Sequence, residues 1–71
     1  SMDERRLLSE KGTVYIPIPA HERGEGKVTI AAGESFIELS AVTDEQEAIP
    51  TATQVRIIDV RGDVVAVQKD K

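Results

Sequence analysis

The stretch TQVRIIDVRGDVVAVQ, residues 53–68, constrains the chain more than any other. Two runs rich in Val and Ile flank Arg61-Gly62-Asp63. β-Branched side chains fit a pleated, half-buried surface, and a glycine takes the positive φ that a tight hairpin turn requires. The pattern predicts two antiparallel strands, residues 53–60 and 63–68, joined by a turn of about two residues. Val55, Ile57, Val65 and Val67 are the expected inward set. Ile58 and Val60 fall out of phase with them, which predicts a bulge or a strand buried on both sides. An isolated hairpin is marginal in water, so upstream strands must cover its apolar face.

Residues 12–18, GTVYIPI, alternate: Val14, Ile16 and Ile18 share one face, while Thr13, Tyr15 and Pro17 share the other. Pro17 has no amide hydrogen to give to a ladder and belongs at an edge or a barrel opening. A polar loop, residues 20–25, leads to a second strand, residues 26–31, with Val28 and Ile30 inward and Lys27 and Thr29 outward. Ala32-Gly33 turns the chain into a third strand, residues 34–42. Its Ile37/Leu39 face is expected to be buried and its Glu38 solvated. Residues 43–52 break the period. Thr43 is expected to cap a short helical turn over residues 44–47, whose acids suit a helix start, and Pro50 ends it. Ile49 is the expected plug for one end of the core.

Five short strands with one interruption predict an all-β fold, a small five-stranded barrel of the oligonucleotide/oligosaccharide-binding (OB) type. Closure removes the sticky edges that a flat sheet would leave. The barrel is placed at residues 12–71. Residues 1–11 are expected to be a flexible tether, since DERRLLSEK is charged around a single Leu pair. Ser1-Met2 reads as an expression remnant, with the natural protein extending beyond it.

Chemistry-bearing patterns are few. The chain carries one Tyr, one Phe and no Trp or Cys, so the core must be aliphatic, and disulfides and thiolate metal sites are excluded. A net charge of −4 opposes phosphate backbones and anionic lipid. Gly24-Glu25-Gly26-Lys27 enters a strand and lacks the Walker spacing, so it reads as a flexible turn with a close backbone approach. His21, Glu22 and Glu25 lack a metal-binding helix register and read as a solvated loop. Asp44, Glu45 and Glu47 lack the frame of a calcium loop. Ser35 or Ser40 with His21 has no nucleophile elbow. Arg61-Gly62-Asp63 matches an integrin-recognition tripeptide but reads as turn chemistry. A basic strip of Arg23, Lys27, Arg56 and Arg61 with Tyr15 and Phe36 would be needed for single-strand binding. No catalytic, metal or cofactor-binding residue is expected. The outward Tyr15 and Phe36 are the candidate partner contacts, because exposed aromatics anchor interfaces.

Taken together, residues 12–68 resemble the C-terminal soluble domain of NfeD-like membrane proteins (nodulation efficiency protein D). The resembling features are Gly12-Thr13-Val14-Tyr15-Ile16 before Pro19, then Gly24-Glu25-Gly26-Lys27-Val28 and Ala41-Val42-Thr43 before the acids. Ile49-Pro50 before Thr53-Gln54-Val55, and Val60-Arg61-Gly62 before Val64, complete the series. Ala52 stands where the family pattern usually has Gly. The resemblance implies an OB-like barrel carried after transmembrane helices, with no catalytic role of its own. It implies stomatin- or flotillin-like partners and a role in membrane organisation or quality control. Residues 3–11 would then be the juxtamembrane linker and the barrel would lie on the cytoplasmic side. No small-molecule substrate or cofactor is implied, and self-association stays open. The competing readings are a nucleic-acid-binding OB module and an accessory domain of a membrane protease.

Overall fold

The computed structural model describes residues 4–71. Five strands form one closed barrel in the order β1-β2-β3-β5-β4: β1 (Lys11–Ile16), β2 (Gly26–Ala32), β3 (Ser35–Thr43), β4 (Gln54–Arg61) and β5 (Val64–Lys69). All neighbours run antiparallel except β3 and β5, which are parallel. The expected all-β, OB-like barrel is therefore the fold, with every strand end within one residue of its expected place except that of β1, which stops at Ile16, two residues short of the expected end. Both hairpin loops have two residues, Gly33-Glu34 and Gly62-Asp63. In each, the glycine stands first with positive φ, +64° and +65°. Positive φ at the first loop residue matches the twist of the flanking strands.

Alternation supplies the core. Val14, Val28, Ile30, Val55, Ile57, Val65 and Val67 are buried, as their phase requires. Ile37 and Leu39 face the same way but stay half-buried, and burial on β3 deepens only at Ala41 and Thr43. The phase break on β4 is a bulge between Ile57 and Asp59, which turns Ile58 to solvent. Ile49 closes one end of the barrel. It is fully buried and exchanges both backbone hydrogen bonds with Ile18, at 3.0 and 2.9 Å.

Two expectations fail for local reasons. Ile16 was assigned inward, but it is exposed. The β1–β2 register slips between Val14 and Ile16, so Tyr15 and Ile16 both turn outward and Ile18 returns to the core. Gly26 shows why the chain takes this path. A Cβ there would lie 2.4 Å from the carbonyl oxygens of both Ile16 and Pro17. The close backbone approach expected of the glycine loop is thus found at Gly26. The helical turn over residues 44–47 does not form either. The Glu45 amide donates to the Thr43 hydroxyl at 3.2 Å, and the Glu45 carbonyl accepts from the His21 amide at 3.0 Å. Backbone groups that a helix would use are drawn to β3 and to the β1–β2 loop.

The first three residues of the expected tether lie outside the described residues. A 3₁₀ turn, Glu4–Leu7, follows them, and Leu7 packs against the core. The Ser9 amide donates to the Ile57 carbonyl, and the Ile57 amide donates to the Glu10 carbonyl, both at 2.9 Å. Arg56 holds the Ser9 carbonyl at 2.6 Å. Residues 9–10 thereby extend the pairing of β1 beside β4.

Ala52 carries a strain that its sequence position foreshadowed. The Thr53 amide donates to the Pro50 carbonyl at 3.3 Å, closing a four-residue turn with Ala52 third at φ +76°. That position of a type II turn calls for glycine. A Cβ in the left-handed region costs about 1–2 kcal/mol, and glycine's extra unfolded freedom returns about 0.5–1 kcal/mol of this. Ala52→Gly is therefore expected to raise the melting temperature by a few degrees, since about 1 kcal/mol moves a domain of this size by roughly 4–8 °C. Thermal denaturation by circular dichroism checks it, and an unchanged or lower midpoint would count against the strain.

Candidate partner-binding surface

A filled barrel leaves its outside as the working surface. Tyr15 is 56% exposed at the β1 bulge, and Phe36 is 74% exposed on β3. Phe36 stands opposite Ala31 of β2, while Tyr15 lies at the level of Lys27 and Val28. Four residues of β2 separate those levels, which is about 13 Å along a strand. The two aromatics are thus separate spots. Ile16 adjoins Tyr15 at 44% exposure, giving that spot a second apolar side chain.

The imagined basic strip does not assemble. Arg56 is engaged by Asp70 at 3.3 Å, and Lys11 reaches the same carboxylate at 3.5 Å. Arg61 contacts Glu22 at 2.8 Å and Asp59 at 3.1 Å. Hydrogen bonds donated to Glu22 first, then to Asp59, raise the pKa of the Arg61 guanidinium above its ordinary value. Lys27 donates to the Ser40 hydroxyl at 3.3 Å. Carboxylates therefore occupy two of the four cations that single-strand binding would use.

The Arg61–Glu22 pair also clasps the β4–β5 turn to the β1–β2 loop. That loop holds a 3₁₀ turn, Ala20–Glu22, in which His21 and Glu22 adopt φ of +57° and +55°. Arg61-Gly62-Asp63 is a hairpin turn whose arginine is tied down by its neighbours. Glu22 is committed to Arg61, and among the described residues no three His, Cys, Asp or Glu side chains gather to hold a metal. His21 lies on the β1–β2 loop, and the Ser40 hydroxyl accepts from Lys27.

A groove of about 540 Å³ runs between residues 43–45 and 67–71. The sequence did not reveal it, because its walls come from positions 24 residues apart. Glu45 accepts the Lys69 amide at 2.9 Å, and the buried Thr43 hydroxyl donates to the Val67 carbonyl at 2.7 Å. These two bonds tie β5 to the β3–β4 connection. Likewise no short-range signal marked the Arg56–Asp70 pair, whose partners are brought together only by barrel closure.

No family model matches the chain, and no curated protein does. Solved structures do. The chain is similar to the soluble domain of the NfeD protein YuaF from Bacillus subtilis, with 28% identity over 90% of this chain and 74% of that one, at a TM-score of 0.76. It is similar in fold to the C-terminal domain of a stomatin operon partner protein from Pyrococcus horikoshii, with 17% identity, TM-score 0.79, and coverage of 100% and 98% of the two chains. It is also similar in fold to the soluble domain of a Corynebacterium glutamicum membrane protein implicated in regulation of membrane protease activity. There the identity is 21%, the TM-score 0.76, and the coverage 97% and 100%.

Proposed function

Because the chain is an NfeD-like soluble domain, we propose that it is a non-catalytic interaction module of a membrane protein, binding a stomatin- or flotillin-like neighbour through its barrel surface. In this reading it faces the cytoplasm and acts in membrane organisation or quality control. The observation that carries it is Phe36, a large aromatic left 74% exposed on a strand whose inner face is packed. A protein this poor in aromatics keeps both of its aromatic rings outside, where hot-spot anchors are found. The stomatin operon partnership of the Pyrococcus horikoshii protein supports the choice of partner. The implication of the Corynebacterium glutamicum protein in regulating membrane protease activity fits the same module serving as an accessory domain.

The test is a pull-down of the stomatin-like neighbour with the wild-type chain and with Tyr15→Ala and Phe36→Ala combined. Both positions are exposed, so the variant is expected to fold and to lose at least about 90% of capture, as truncation of anchor residues does. Undiminished capture would overturn the assignment.

A further inference from the structure

β3 is longer than the strand beside it. On one edge it pairs with β2 from Ser35 to Ala41. On the other, β5 accompanies it only from Ser40 to Thr43. Among the described residues, no strand lies against that second edge over residues 35–39. This is about 17 Å of strand with its outward backbone groups unclaimed by a ladder.

The stretch is rigid on one face and open on the other. Ile37 and Leu39 pack on the core. Phe36 and Glu38 point outward and are exposed, and Glu34, the second residue of the turn, stands just before the strand. Across on β2 their neighbours are Ala31 and Thr29, too small to cover them. Among the described residues neither Glu34 nor Glu38 enters an ion pair. The usual protections of an edge are proline, charged side chains (lysine above all), a bulge or a covering segment. The sequence SFIEL contains no proline or lysine, its one charge is Glu38, and its register with β2 is unbroken. β1, by contrast, carries both a bulge and Pro17 beside its exposed spot.

The geometry points to strand addition: residues 35–39 of β3 receive an extended segment of a partner protein that carries an apolar and a basic residue two positions apart. This rests on the partner-binding reading and says how Phe36 is engaged. Backbone hydrogen bonds supply attachment, and alternate side chains supply choice. Cross-strand pairing places the apolar residue over Phe36 and a cation over Glu38. The net charge of −4 favours such a segment at longer range. A second copy of this chain fits poorly. The antiparallel register that stacks Phe36 on its twin brings Glu38 of each copy up to the turn residue Glu34 of the other, and facing like charges are destabilising.

The test uses the 71-residue chain with two short labelled peptides, one patterned Lys-x-Val-x-Lys and the other Glu-x-Val-x-Glu. Titration followed by amide shifts and hydrogen exchange is expected to show binding of the basic peptide alone, with new protection on residues 35–39. Glu38→Lys, an exposed substitution, is expected to weaken the basic peptide at least about tenfold and to confer binding of the acidic one. Failure of the basic peptide to bind overturns strand addition. So does protection centred on Tyr15, or concentration-dependent dimerisation through the same edge without peptide. If the pull-down still depends on Phe36 while the peptides fail, strand addition falls and the partner reading stands.

Discussion

Gly26→Ala is expected to abolish the stable barrel. The added methyl would lie 2.4 Å from two backbone carbonyl oxygens and 2.7 Å from the Ile18 side chain. Neither carbonyl sits on a flexible side chain that could swing aside. Relief requires residues 16–18 to move off β2, and that pulls Ile18 out of the core it shares with Ile49. A domain of this length holds roughly 4–10 kcal/mol in total, at 0.05–0.15 kcal/mol per residue. Overpacking against backbone with loss of a core contact costs on the order of 4 kcal/mol or more. Far-UV circular dichroism and amide dispersion are expected to show a largely unfolded population at 25 °C. Gly33→Ala is the control. Its Cβ would meet nothing within 4 Å, so only its φ of +64° is penalised, at about 1–2 kcal/mol. If Gly26→Ala melted as high as Gly33→Ala, the close approach would not be what shapes the β1–β2 loop.

Period-two alternation is a local signal, and it made the barrel readable. Val28, Ile30, Val55, Ile57, Val65 and Val67 needed only their neighbours in sequence to declare their side of the sheet. The bulge at Ile58 was readable for the same reason, as two apolar residues out of step. Ile16 was misread because its orientation is decided by Gly26 and Pro17 acting across two strands, which leaves the alternation of GTVYIPI superficially intact. The turn over residues 44–47 was misread because Glu45 binds groups at positions 21 and 69. A local capping pattern cannot weigh such distant competitors. The candidate surface shows the same division. Tyr15 and Phe36 were readable as outward aromatics. The free edge beside Phe36 was not, because it depends on where β5 begins along β3, and only the parallel pairing at Ser40 fixes that.

Ile49→Ala is expected to be the next most damaging change, although Ile49 lies outside every strand. Its side chain is fully buried at one end of the barrel. Truncating a buried isoleucine costs about 2–5 kcal/mol, with the larger figures where the surroundings cannot collapse. Here collapse is resisted. The Ile18–Ile49 backbone pair fixes one side of the cavity, and the Ala52 amide bonded to the Val14 carbonyl at 2.8 Å fixes the other. A drop in melting temperature on the order of 10 °C or more is expected, against little change for Ile58→Ala on the exposed bulge. The effect should also reach the partner surface. The Thr51 hydroxyl donates to the Tyr15 carbonyl at 3.1 Å, so residues 49–52 strap down the segment that presents Tyr15. Amide exchange is therefore expected to quicken at residues 14–18 and 49–53 while residues 35–39 keep their native rate. A uniform quickening would mean that the plug supports the barrel as a whole, and a cost below about 1 kcal/mol would mean that it is no plug.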